Sequence, residues 1–364
     1  METSAVMQNS IRGGERSSNI ELFRILSMLM IIAHHYVVNS GLLDCIEAQP
    51  YLSVRDYFLL LFGWGGKTGI NCFVLITGYF MCTSHITKKK LFKLLGEVYF
   101  YAVVLWGIFL VTGYEAFSIK EFLKILFPFY DVADNFTACF LLFYLLIPFL
   151  NKLIHVLSEK EHLQLLLWCM GVYVFFPSFV KAHVVFNYIT WFCVLYIIAS
   201  YIRLYPKAWF DSEKITGLMA GTSLLLSWTS VVVLLTLSRI VGKHVGLCYF
   251  FVTDSNKVLA LATGVSTFLF FKNLKIRYCK TINTVAASTF GVLQIHANSD
   301  TMRRWLWKDV CNNIGAYDTK FIVFHAITCV LIVYIVCTVI DIIRIHVIDK
   351  TCSVIVNSKG KFKI

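Results

Sequence analysis

The chain has 364 residues, of which 58% are hydrophobic and only 15% charged, with a formal net charge of +12. Ordinary soluble domains carry about 25% charged residues, and here the apolar residues come in blocks of about 16 to 25 between short polar connectors, which excludes a soluble core and predicts repeated membrane-spanning helices. The blocks are continuous rather than alternating, so helices and not a barrel are expected, and in such a protein a basic excess reports orientation in the bilayer, not binding of nucleic acid.

The predicted fold is all-α: a polytopic membrane helix bundle of about ten transmembrane helices, at about 22–40, 57–82, 94–113, 135–151, 163–180, 186–202, 215–237, 257–271, 284–299 and 320–342. One membrane domain over 18–345 is flanked by a tail at 1–17 and a basic tail at 346–364. The connectors fall alternately on two sides, and one side collects 21 of the 33 basic residues, from Arg12 and Arg16 through Lys152, Lys214 and Lys280 to Lys361 and Lys363. The positive-inside rule then predicts a multi-pass protein with both termini cytoplasmic, and the membrane expected for it is the plasma (inner) membrane. Met1 to Ser17 is polar and the first apolar run ends without an Ala-x-Ala site, so no cleaved signal peptide is expected.

The first span, Ser18 to Gly41, carries Glu21 and Arg24 at its entrance and His34 and His35 deep inside, where ionisable groups are costly. On a helix, Arg24, Met28, Ile31 and His35 stack along one face with Glu21 one turn below Arg24. The histidines read either as wetted interfacial residues or as a site, and in the second case His35 is the one on the Arg24 face. Neutral imidazole is the usual group for taking a proton from a hydroxyl. Glu21 and Arg24 read equally as a helix-start ion pair or as a planar cation that holds a phosphate or carboxylate at the membrane entrance.

In the second block, Gly63-Trp64-Gly65-Gly66-Lys67-Thr68-Gly69 interrupts the apolar run, and a loop leading into the helix is favoured over a broken helix. Lys88, Lys89 and Lys90 read first as an orientation signal beside anionic lipid headgroups, with steering of a phosphate ligand as the second reading. Glu97 has Lys93 one turn before it as a simple partner. The connectors Leu42 to Asp56, Ser238 to Asn256 and Asp300 to Lys320 are long enough to shape a mouth on the far side. A second intramembrane histidine, His296, is followed by Asn298, Asp300, Arg303 and Arg304; this is either an interfacial cap with Trp305 and Trp307 as belt aromatics or part of a site. Most of the twelve cysteines lie inside apolar runs as small hydrophobes, and a bridge among Cys45, Cys248 and Cys311 in the connectors stays open. No metal-binding constellation, Gly-x-Ser-x-Gly elbow or P-loop occurs.

Four stretches in order complete the reading. Asn19-Ile20-Glu21-Leu22-Phe23-Arg24, followed eleven residues later by His35, resembles the opening signature of the acyltransferase-3 family of integral-membrane O-acyltransferases. Gly69 to Phe80, Phe140 to Asn151 and Ser288 to His296 resemble its later segments, so the likeness covers about residues 18–345. What the resemblance implies is transfer of an acyl group, usually acetyl, from coenzyme A to a sugar hydroxyl of a surface or exported glycan, as in surface-polysaccharide O-acetyltransferases. No bound cofactor is implied: acetyl-CoA, or another acyl-CoA, is a co-substrate, and the acceptor is a surface glycan or a lipid-linked oligosaccharide. His35 takes the place of the family's histidine, Arg24 that of its arginine, Glu21 that of an acid and His296 that of a later histidine. The sequence departs from the pattern at Thr77, Leu293 and Gln294, and Asn135 stands where a Trp is expected. Candidate catalytic residues are therefore His35, Glu21 and Arg24, with His296, Arg303, Asn135, Lys88, Lys89 and Lys90 as candidate substrate contacts. The rival class is a secondary transporter or flippase of a lipid-linked glycan, since intramembrane charges also mark substrate pathways.

Overall fold

The computed structural model describes residues 17–129, 132, 135–180 and 186–359. Among these, every regular element is helical. The α-helices are α1 (Ser18–Val38), α2 (Leu42–Glu47), α3 (Val54–Gly63), α4 (Gly66–Met81), α5 (Lys88–Val111), α6 (Ile119–Leu126), α7 (Phe136–Val156) and α8 (Glu159–Met170), which runs on as a π-helical stretch, Gly171–Val180. They continue with α9 (Tyr188–Leu204), α10 (Glu213–Ile240), α11 (Val258–Asn273), α12 (Lys280–Ala287), α13 (Thr289–His296), α14 (Asp300–Arg304), α15 (Asn313–Tyr317) and α16 (Ile322–Lys359).

Seven spans among the described residues are long and apolar enough to cross a membrane: Ser18–Val38, Val54–Met81, Lys88–Val111, Phe136–Val156, Glu159–Val180, Glu213–Ile240 and Ile322–Ile348. The blocks at 186–202 and 257–271 form the shorter helices α9 and α11, with 17 and 16 residues. The block at 284–299 is split into α12 and α13, of eight residues each, at the buried Ser288. Helix α9 is apolar all round because it lies inside the bundle, with Trp191, Phe192, Leu195, Tyr196 and Ala199 inaccessible to solvent.

Two apolar cores result. One joins the second half of α1 to α3, α10, α13 and α16, and the other joins α4 to α7, α9 and α11. Helices α10 and α11 are also joined by buried hydroxyl pairs, Ser223 Oγ to Ser266 Oγ at 2.7 Å and Ser227 Oγ to Thr263 Oγ1 at 3.0 Å, which is how helices adhere where apolar contact gives no advantage over lipid.

The glycine-rich segment corrects the sequence reading. It is not a loop leading into a helix: Trp64 and Gly65 are a break inside the 28-residue span Val54–Met81. The glycines are there because α1 lies against them. A Cβ on Gly63 would come within 2.8 Å of the Val37 side chain, one on Gly66 within 2.3 Å of His34 Cγ, and one on Gly69 within 2.7 Å of the Ser27 carbonyl. The order of these contacts also shows that α1 and α4 are antiparallel, so Met81 and the start of α5 lie at the level of Ser18.

The three long connectors are structured. They contain α2, a 3-10 turn at Val245–Tyr249, and α14 with α15. Arg239 donates to the Ile46 carbonyl at 3.1 Å and also to that of Gln49, while Arg55 donates to the Tyr317 carbonyl at 2.8 Å and lies 3.8 Å from the centre of the Tyr317 ring. The eleven cysteines from Cys45 to Cys337 are free, so no bridge joins Cys45, Cys248 and Cys311. Helix α16 continues to Lys359, so the segment read as a tail from 346 begins within it; residues 1–16, including Arg12 and Arg16, and 360–364, including Lys361 and Lys363, lie outside the described residues.

Candidate active site

The start of α1 is fixed first. Asn19 Nδ2 donates to the carbonyls of Phe271 and Lys272 at 2.9 and 3.0 Å, and Ser18 Oγ donates to Asn283 Oδ1 at 3.0 Å while accepting from Cys279 N at 2.8 Å. This holds α1 to the end of α11 and the start of α12. Glu21 is buried and lies 3.4 Å from Arg24 Nε, whose side chain is one-quarter exposed. Between Arg24 and His35, Met28 and Ile31 are buried in the apolar core, so the face that carries all four residues is not a polar channel along its length. Helical rise separates its two ends by about 16 Å.

The other end of α1 brings the histidines together. The rings of His35 and His296 lie 5.2 Å apart, centre to centre, and those of His34 and His35 6.1 Å apart. His34 Nδ1 is 2.7 Å from the Gly63 carbonyl and His296 Nδ1 is 2.6 Å from that of Val292. A carbonyl only accepts, so in both rings Nδ1 carries the hydrogen and Nε2 presents a lone pair when the ring is neutral. His296 is fully buried, and neither its Nε2 nor His35 Nδ1 finds a hydrogen-bond partner among the described residues. Behind His35, Tyr36 OH donates to His325 Nδ1 at 2.8 Å, because His325 Nε2 is engaged with the Cys311 carbonyl at 2.9 Å.

Cations flank the pair. Lys67, one residue after the close-packed Gly66, donates to Tyr188 OH at 2.7 Å at the start of α9, and both Lys67 and Arg303 are within electrostatic range of His35. Arg303 is partly exposed and paired with the nearly fully exposed Asp300. One turn along α4 from Lys67, the buried Asn71 accepts from Trp191 Nε1 at 2.9 Å and donates to the Ser255 carbonyl at 2.7 Å, tying α4 to α9 and to the approach of α11.

The other candidates fall elsewhere. Asn135 caps α7: its Oδ1 accepts from Thr137 N at 2.9 Å and Ala138 N at 3.2 Å. The nearby Thr137 accepts from Gln294 Nε2, on α13 two residues before His296, at 2.8 Å. Lys88, Lys89 and Lys90 are exposed at the start of α5, with Lys90 Nζ near Ser84 Oγ and the His85 carbonyl. Trp307, read as a belt aromatic, is fully buried with its ring 6.0 Å from that of Tyr36.

Glu97 does not take Lys93 as its partner. It lies 3.1 Å from Arg344 Nη2, and Arg344 Nε donates to Asp341 Oδ1 at 2.7 Å, which also accepts from Tyr101 OH at 2.7 Å. A carboxylate inside an apolar bundle is drawn to the nearest buried cation, and Lys93 lies toward the exposed end of α5. Asp341 is fully buried against Gly291, where a Cβ would come within 2.1 Å of its carboxylate. The signal for this cluster was present in the sequence as Asp341 and Arg344, three apart inside the last apolar run. No sequence signal marked Lys67 beyond its place among glycines.

A family model for an acyltransferase domain matches residues 17–341, nearly the whole chain. No curated protein and no solved structure matches it. The chain belongs to this acyltransferase family, the acyltransferase-3 family.

Proposed function

From a chain of this family whose two deep histidines meet ring to ring, we propose a membrane-bound O-acyltransferase that moves an acyl group, acetyl in the simplest case, from acyl-coenzyme A to a hydroxyl of a cell-surface or exported glycan. The observation that carries this reading is the 5.2 Å approach of His35 to His296, from opposite ends of the chain. In this reading the shorter helices α9 and α11 and the broken pair α12–α13 also traverse the bilayer, giving ten passes in the plasma membrane. The Arg24 end of α1 then faces the cytosol, where acyl-coenzyme A is available, and the His35 end faces the acceptor.

The chemistry follows from the groups present. Arg24, with Lys88, Lys89 and Lys90 at the same level of the bundle, binds the phosphates of the donor. The roughly 16 Å rise from Arg24 to His35 is within reach of an extended pantetheine arm; since Met28 and Ile31 on that face are packed in the core, the arm brings its thioester to the histidines beside that face rather than along it. His35 takes the proton as the sugar oxygen attacks the thioester carbonyl; the carbon–sulfur bond breaks and the proton passes to the departing thiolate. His296, held by the Val292 carbonyl with Nε2 as acceptor, orients the acceptor hydroxyl or steadies His35 once it is protonated, as a third group orients a base elsewhere. Lys67 and Arg303 stabilise the negative charge that develops on the carbonyl oxygen.

The test is acyl transfer from radiolabelled acetyl-coenzyme A to a glycan extract by the purified protein in lipid nanodiscs. His35→Ala is expected to lower the rate about a hundred- to ten-thousandfold, the usual contribution of a general base. Wild-type transfer by correctly inserted His35→Ala protein would remove His35 from this role, and His296→Ala with unaltered rate and sugar preference would remove His296.

A further inference from the structure

A groove of about 810 Å³ lies between α5 and α16. Its rims are Ile108 on α5 and Ile332, Val336 and Ile340 on α16, all exposed, and its floor includes the buried Phe109 and Val333. Both helices are long and apolar enough to cross a membrane, so the groove opens toward hydrocarbon rather than water. Along α16 it runs from His325 to Ile340, about 22 Å of helical rise out of a hydrocarbon core roughly 30 Å thick. An apolar groove that runs along two membrane-crossing helices for this length has the dimensions of a lipid chain.

At one end of the groove, Asp341 follows the lining Ile340 but is fully buried and bonded to Tyr101 and Arg344, outside the lining. Of the residues that line the groove, the polar ones gather at the other end. There Tyr114 OH donates to Asp309 Oδ2 at 2.5 Å, and His325 holds the Cys311 carbonyl. This is the His35 end of the bundle, because the same His325 is bonded to Tyr36 and because Asn313 Nδ2 donates to the Tyr36 carbonyl at 2.9 Å. The inner wall lies beside the site: Ile295, which lines the groove, precedes His296 on α13, and His325, which also lines it, is bonded to Tyr36, the residue after His35. A chain lying here with its head group at the polar lining would have that head group at the end of the bundle that holds the histidines.

We propose that this groove holds the hydrocarbon chain of a lipid-linked oligosaccharide and so presents the acceptor sugar to His35 and His296 from within the bilayer. The inference rests on the function proposed above. It selects the acceptor over the donor, because the donor's polar part belongs to the Arg24 end of α1 and the polar end of the groove is opposite.

Val336→Trp and, separately, Ile332→Trp fill the groove from exposed positions remote from the histidines. Each variant is compared with the wild type in phosphatidylcholine nanodiscs. One readout is transfer to a polyprenyl-phosphate-linked oligosaccharide and to the same oligosaccharide freed of its lipid; the other is retention of the polyprenyl-linked form, seen by native mass spectrometry. The expected result is a fall in kcat/KM for the lipid-linked acceptor of at least about tenfold, the scale of losing one side chain's worth of apolar contact. The freed oligosaccharide should react as before, and retention should be lost. Equal effects on both acceptors, no effect on either, or wild-type protein that retains phosphatidylcholine in preference to the polyprenyl carrier would overturn the proposal. If the wild type acylates neither acceptor, the proposed function fails, while the retention measurement still decides the groove.

Discussion

Gly66→Ala is the substitution that most directly tests how the site is assembled. A Cβ at Gly66 would lie 2.3 Å from His34 Cγ, 2.5 Å from its Cβ and 2.6 Å from its Cδ2. These atoms include the root of the side chain, so a change of rotamer cannot clear them and α1 must move away from α4. Ordinary contact begins near 3.4 Å, so the displacement needed is about 1 Å. Overpacking of this kind costs about 1–3 kcal/mol, and a misplacement of about 1 Å can cost about a hundredfold in rate. The shift would also strain the bond from His34 to the Gly63 carbonyl. Gly221 in α10 is the control, since a Cβ there meets nothing within 4 Å and alanine is favoured over glycine in a helix by about 1 kcal/mol. The assay is acyl transfer together with thermal unfolding in one detergent. Gly66→Ala should unfold at lower temperature and lose most of its activity, and Gly221→Ala should lose neither. A Gly66→Ala protein with wild-type rate and stability would show that α1 and α4 do not fix His35 in this way.

Two further outcomes follow. Arg344→Gln leaves Glu97 and Asp341 buried without their cation, and such a loss costs about 3–5 kcal/mol, so the variant should unfold at a clearly lower temperature; adding Glu97→Gln should recover part of that, and unchanged melting of the single variant would show that the pair at 3.1 Å does not stabilise the fold. Asn135→Ala should cost about 1 kcal/mol through the lost cap of α7 without altering which sugar is acylated, and a changed sugar preference at unchanged stability would make Asn135 a substrate contact instead.

Hydropathy alone revealed the long helices, and helical spacing alone separated His35 from His34. The structure keeps that distinction: His34 is bonded to a backbone carbonyl on α3, and His35 faces His296. Partners were harder to read, because inside a bundle a polar group is satisfied from another helix. Glu97 has a cation four residues away and uses one from α16; Asn135, read as a substrate contact, has its Oδ1 engaged as the cap of α7. The glycine-rich break could not be told from a loop, since sequence records the absence of side chains but not the helix that fills the space. Trp307 was placed at an interface by composition, whereas burial against Tyr36 depends on how α14 and the turns after it fold back over α1.

The two histidines are positioned by the same device on different helices. His34, next to His35, sits over Gly66 with no room for a methyl group; Gly291 sits over Asp341 with even less. From Gly291 to His296 is five residues, about 7.5 Å along α13, so the packing that sets α13 against α16 also sets the depth of His296. Asp341 is held there by Tyr101 and Arg344, and Arg344 by Glu97. The buried charges on α5 and α16 therefore have a consequence beyond their own stability. They form the surface on which α13 rests, just as the glycines of α3 and α4 form the surface on which α1 rests, and the 5.2 Å approach of the two rings depends on both contacts.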